Sequence, residues 1–132
     1  MRKMLLTLLF AAIAAIAWAL MKNHHTGFKS VGTAEFAEVI KDTAIQLVDV
    51  RTPMEYAEGH LPGAILIDVK DSTFLPKAKE TLSQDRPVAV YCRSGRRSAS
   101  AASQLVKAGF EVVNLKGGIL AWQAEGREVV KD

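Results

Sequence analysis

The chain has one cysteine in 132 residues, which excludes an intrachain disulfide and any CxxC redox or zinc pair. It also lacks a marked excess of charge. Lys and Arg number 17 against 14 Asp and Glu, and with Arg2 and Lys3 set apart in an N-terminal leader the remainder carries 15 basic against 14 acidic groups. There is no basic helix face and no interleaving of aromatic with basic residues, so nothing points to a nucleic-acid partner. Internal repeats and low-complexity tracts are absent, and the length leaves room for one folded domain. His24 and His25 are adjacent but have no third candidate ligand nearby, so neither a metal site nor a cofactor is expected.

From Met4 to Met21 the chain is apolar apart from Thr7, with Arg2 and Lys3 before it and Lys22 after it. An amphipathic helix of the domain would need a polar face, and these positions supply none. The stretch is therefore either a cleaved secretory signal, with Ala17-Trp18-Ala19 as an A-x-A site, or an uncleaved anchor about long enough to span a bilayer core. The missing polar region before the A-x-A favours the anchor, and the alanine content favours the signal. Both imply export of the domain behind the stretch, since Arg2 and Lys3 keep the N-terminus inside, an asymmetry that Lys22 and Lys29 weaken.

The lone cysteine lies in Val88-Ala89-Val90-Tyr91-Cys92-Arg93-Ser94-Gly95-Arg96-Arg97-Ser98, where an apolar strand runs into a basic, glycine-containing turn. Ser98 to Ala108, rich in Ala and Ser and closed by Gly109, reads as a helix with Leu105 and Val106 on its apolar face. Helix N-termini carry unpaired donors and partial positive charge, which bind anions and lower the pKa of a nearby thiol. A structural cysteine belongs among apolar neighbours, whereas Arg93, Ser94, Gly95, Arg96 and Arg97 suit no core. The pattern points to an activated thiolate that handles an anionic substrate.

Elsewhere, strand-like and helix-like segments alternate. Asn23 to Ser30 reads as a polar linker, and Thr33 is expected to cap a helix that places Phe36, Val39 and Ile40 on one side. Ile45 to Val50 reads as a buried parallel strand. Thr52-Pro53-Met54-Glu55 is a capping box with proline at the first helical position, and Gly59 ends that helix. A strand at Ala64 to Ile67, one helix within Asp71 to Leu82, the cysteine strand, a strand at Glu111 to Leu115, a turn at Gly117-Gly118 and a short helix at Ile119 to Ala124 complete the series. This alternation predicts a three-layer α/β domain with a mostly parallel sheet, in which ligands bind beyond the C-terminal strand ends, where Asp49 and Cys92 both fall.

Asp49-Val50-Arg51, Glu55-Tyr56, Gly59-His60-Leu61-Pro62-Gly63-Ala64, the loop from Cys92 with Gly95 and Arg97, and Gly117-Gly118 with Trp122 occur in the order and spacing of a known family. The chain resembles the rhodanese (thiosulfate sulfurtransferase) domain from about Val31 to Trp122, and is most similar to small exported rhodaneses of the phage-shock protein E type. The implied organisation is a leader at 1–21, a linker at 22–30 and a rhodanese domain at 31–132. The resemblance implies that Cys92 takes the outer sulfur of an anionic donor such as thiosulfate, holds it as a persulfide, and passes it to cyanide, a thiol or a protein thiol. Residues 92 to 97 would form the cradle, with Arg97 stabilising the persulfide and Arg93 and Arg96 widening the positive field.

Asp49 and Arg51 are expected to pair at the strand end, Glu55 to cap its helix, His60 to serve the turn rather than act as a base, and Trp122 to pack in the core. The resemblance also implies periplasmic residence, soluble or held at the membrane through residues 4–21. Two rivals remain: a Cdc25-type dual-specificity phosphatase, which needs Cys-x5-Arg where this chain has Ser98, and a non-catalytic binding or redox-sensing module.

Overall fold

The computed structural model describes residues 27–131. The leader at 4–21, its A-x-A triplet and most of the linker lie outside the described residues. Five strands form one parallel sheet in the order β1-β5-β4-β2-β3, with β1 at Lys29–Val31, β2 at Gln46–Asp49, β3 at Ile65–Leu66, β4 at Val88–Tyr91 and β5 at Val112–Leu115. Five helices alternate with them: α1 at Thr33–Val39, α2 at Pro53–Glu58, α3 at Phe74–Thr81, α4 at Arg96–Lys107 and α5 at Gly118–Ala124. The three-layer α/β expectation holds. Among the described residues, no helix is long and apolar enough to cross a membrane.

The strand period of two assigns each residue of the central strands to one of two cores. Val48, Val50, Val88, Val90 and Cys92 face α3 and α4, where Phe74, Ala78, Ala101, Ala102 and Leu105 close over them. Leu47, Ala89 and Tyr91 face α1 and α5 and pack with Phe36, Ile119 and Trp122. Parallel strands buried on both faces read as apolar runs, which is why β4 is legible in the sequence, and β2 through Leu47-Val48 between Gln46 and Asp49. Cys92 is the next residue on the α4 side after Val88 and Val90, so the same alternation that builds the core aims its sulfur at the start of α4.

Two expectations need correction. β1 begins at Lys29, inside the stretch that reads as linker; three residues, two of them exposed, are too few to show a strand pattern. Thr33 does not cap α1. Gly32 occupies the cap position without a side-chain bond, and Thr33 is the first helical residue, buried with its hydroxyl donated to Glu125 of the segment after α5. The capping box at Thr52 and Glu55 forms as expected, with the Glu55 N–H donating to the Thr52 hydroxyl at 3.3 Å and the Thr52 N–H donating to the Glu55 carboxylate at 3.2 Å.

The ends of β2 and β4 are joined by a buried polar cluster. Asp49 is fully buried, and its Oδ2 accepts from Arg51 Nη2 at 2.6 Å and from the Tyr91 hydroxyl at 2.7 Å. Arg51 Nη2 also donates to the Gly59 carbonyl at 2.7 Å, and Tyr91 Oη accepts the Leu61 N–H at 3.0 Å. One phenol thus connects the carboxylate to the loop after α2. Burial first, then the Asp49 charge and hydrogen bond, push the Tyr91 hydroxyl well above the ordinary tyrosine range, so it stays a donor at any working pH. Tyr91→Phe leaves the buried Leu61 N–H without its acceptor, which costs about 1–3 kcal/mol. A lower denaturant midpoint at unchanged slope is the expected result.

Candidate active site

Cys92 follows β4 directly, and the chain turns through Arg93, Ser94 and Gly95 into α4. Gly95 makes that turn possible: its φ of 106° lies in the left-handed region, and it caps a helix with no side-chain partner for its first N–H groups. Part of this loop's donor set turns to the sulfur. The Gly95 N–H donates to Cys92 Sγ at 3.0 Å, and the Ser98 hydroxyl lies 3.3 Å from the same atom. Ser98 Oγ is also 3.2 Å from the Gly95 carbonyl, so its single proton has two acceptors, and an ionised sulfur is the stronger one.

Burial of Cys92 opposes ionisation. The Ser98 hydroxyl and the N–H groups of Ser98, Gly95 and Ser94 outweigh it and bring the thiol below its ordinary value. The donors to the thiol are thus a hydroxyl and backbone N–H groups at the start of α4, while Arg97 interacts with Cys92 through charge alone. Arg93 and Arg96 are exposed side chains.

Arg97 is directed elsewhere. Its Nη1 and Nη2 donate to Glu55 Oε1 and Oε2 at 2.7 and 2.8 Å, a two-pronged pair that joins α4 to α2 across the mouth of the loop. The Arg97 hydrogen bond, opposed by burial and aided by Thr52, lowers the Glu55 carboxyl to about 2, so Glu55 is ionised at neutral pH.

The loop is held from beneath by α5. The Ile119 and Leu120 N–H groups donate to the carbonyls of Cys92 and Arg93 at 2.9 and 3.1 Å. Gly118 permits this approach, because a Cβ there would stand 2.4 Å from the Arg93 oxygen and 2.6 Å from the Cys92 oxygen. Beside the loop, an open cleft of about 240 Å3 is lined by Arg51, Glu55, Gly59, Arg93, Ile119 and Leu120, among others.

Of the residues singled out in the sequence, Cys92, Ser94 and Gly95 converge on the sulfur cradle. Asp49 and Arg51 form the expected ion pair, on the opposite face of the sheet from the sulfur. His60 is buried, stacks on Tyr56 with ring centroids 3.7 Å apart, and exchanges backbone hydrogen bonds with Val130, which fits the turn role. Trp122 is in the core as expected.

Three features escape sequence reasoning: Ser98 as a donor to the sulfur, Tyr91 as a link to Asp49, and the reach of Glu55 to Arg97. In the sequence, the position of Ser98 six residues after Cys92 registers only as the absence of an arginine. Replacing Ser98 by alanine removes a donor that favours the charged form, so the thiol pKa rises. The pH profile of Cys92 alkylation by iodoacetamide is expected to move to higher pH, and an unmoved profile would mean that the backbone donors suffice.

Residues 32–125 match the Rhodanese-like domain family. The chain is similar to a sulfurtransferase of Allochromatium vinosum, at 36% identity over 76% of this chain and 92% of that protein. It is also similar to the thiosulfate sulfurtransferase GlpE of Pseudoalteromonas translucida, at 33% identity over 79% of this chain and 97% of that one. Among solved structures, a rhodanese-related protein of Thermoplasma volcanium superposes with a TM-score of 0.70 at 34% identity, over 80% of this chain and 100% of that one. With the parallel sheet and the cysteine loop at its C-terminal edge, this match makes the chain a member of the rhodanese-like domain family.

Proposed function

We propose that this protein is a thiosulfate sulfurtransferase that works through a persulfide on Cys92. The observation that carries the reading is the sulfur cradle: a single thiol, its ionised form favoured by Gly95, Ser94 and Ser98, at the end of a buried strand. In the first step the Cys92 thiolate attacks the outer sulfur of thiosulfate. A new S–S bond forms, the bond to the sulfonate sulfur breaks, and sulfite leaves with the electron pair. In the second, cyanide or a thiolate attacks the outer persulfide sulfur and leaves as thiocyanate or as a new persulfide, returning the Cys92 thiolate. No net redox change and no proton relay is needed, which fits a site whose histidine is buried in a turn.

The same cradle suits the negative charge that passes between sulfur atoms in both steps, because its donors are fixed before the reaction begins. Arg93 and Arg96, exposed at the rim, supply the positive field for an anionic donor. A phosphatase reading is weaker. Such an enzyme needs a loop guanidinium free to clamp phosphate, whereas the position that should provide it is Ser98 and the adjacent Arg97 is bound to Glu55.

Intact mass after exposure to thiosulfate decides the reaction. The wild-type protein is expected to gain one sulfur atom and to lose it on adding cyanide, while Cys92→Ser gains nothing and forms no thiocyanate. Turnover by the serine variant, or Cys92-dependent hydrolysis of aryl phosphates, would overturn the assignment.

The apolar stretch at 4–21 supports a further part of the reading, export of the domain to the periplasm, with a protein thiol there as one class of acceptor. An alkaline phosphatase fused behind Asp132 is expected to be active. Release by osmotic shock would then mark a cleaved signal, retention an anchor, and an inactive fusion confined to the cytosol would refute export.

A further inference from the structure

The Glu55 carboxylate serves two partners. Oε1 accepts from the Thr52 N–H and hydroxyl, closing the cap of α2, and both oxygens accept from the Arg97 guanidinium, 42 residues further along the chain. The arrangement matches the planar fork of arginine to the two oxygens of a carboxylate, and both side chains are about three-quarters buried. A positive charge met at contact by an equal negative one has its field at a third site reduced. The loop arginine best placed in the sequence pattern to act on the sulfur is thus the one whose charge is already answered.

The charged groups about the loop are Arg93 within it, Arg96 and Arg97 at the start of α4 and Glu55 on α2; Asp68, between β3 and α3, acts on Arg97, and the Asp49–Arg51 pair lies on the other face of the sheet. That last pair is internally neutral. Arg97 interacts first with Glu55, and with Cys92 and Asp68 only after it. Removing the Glu55 charge alone would therefore expose one uncompensated positive charge next to the sulfur.

We propose that Glu55 is a positioning residue that neutralises Arg97, so that the pair stands beside Cys92 as an uncharged strut and leaves attraction of the anionic donor to Arg93 and Arg96. The role of Glu55 goes beyond capping its helix. It rests on Cys92 being the reactive group of the proposed reaction, but its test needs no sulfur donor, so failure here is distinguishable from failure of sulfur transfer.

The test is the pH at which alkylation of Cys92 by neutral iodoacetamide is half-maximal, in Glu55→Gln, Arg97→Gln and the double variant. Glutamine is accepted at the third position of a capping box, so Glu55→Gln keeps the start of α2. Loss of the carboxylate charge favours the thiolate, and the midpoint is expected to fall by roughly half a pH unit or more, the scale of one screened unit charge at short range. Arg97→Gln leaves Glu55 bare and disfavours the thiolate, so its midpoint rises by a similar amount. In the double variant both charges are gone and the midpoint returns close to wild type. A double variant that stays with Arg97→Gln would overturn the proposal and make Arg97 a direct clamp on the sulfur. A rise in Glu55→Gln would also overturn it, since a strut that acts only by holding the loop loses donor geometry whichever end is cut.

Discussion

The fold turns on a charge placed where water cannot reach it. Asp49 ends the central strand β2 fully buried, and an ionised carboxylate there is tolerable only if every oxygen is engaged. The neighbouring chain is arranged to engage them: Arg51 bends back with three side-chain contacts and its own N–H, and Tyr91 reaches across from β4. Because Arg51 also holds Gly59 and Tyr91 also holds Leu61, the carboxylate fixes the loop after α2 as well as the strand ends. Such a cluster adds less stability than its hydrogen bonds suggest, since burial of the charges opposes them. Its contribution is a single geometry at the C-terminal edge of the sheet.

That geometry matters because Tyr91 and Cys92 are consecutive. The strand period sends one to the α1 and α5 face and the other to the α4 face, so locking the phenol to Asp49 fixes the backbone from which the sulfur departs. On the far side, α5 grips the carbonyls of Cys92 and Arg93 through its first N–H groups. The loop is therefore held at its root by a polar cluster and from below by a helix terminus. The Gly95 N–H and the Ser98 hydroxyl are left to point at the sulfur, and donors fixed in advance need no reorganisation when charge develops.

Much of this is legible in the sequence because it depends on local rules. The apolar run of β4, the Leu47-Val48 pair of β2 and the capping box at Thr52 and Glu55 are each decided by a few neighbouring residues and take the expected form, whereas α4 begins at Arg96, two residues before the expected Ser98. The features that escape it depend on pairings distant in the chain. β1 is a strand only because β5 offers it an edge, Thr33 turns to Glu125 rather than to its own helix, and Glu55 finds Arg97. A carboxylate in a first turn satisfies the rules for a cap completely, and nothing in its local context announces a second partner.

Ser98 and Arg97, adjacent in the chain, take different partners. Ser98 is the third residue of α4, about one turn beyond the Gly95 cap, and its hydroxyl sits 3.3 Å from the sulfur. Arg97, one place earlier, leaves the helix at a different angle and meets α2 instead. A difference of one residue in register thus separates a hydroxyl that reaches the sulfur from a guanidinium that ties α4 to α2.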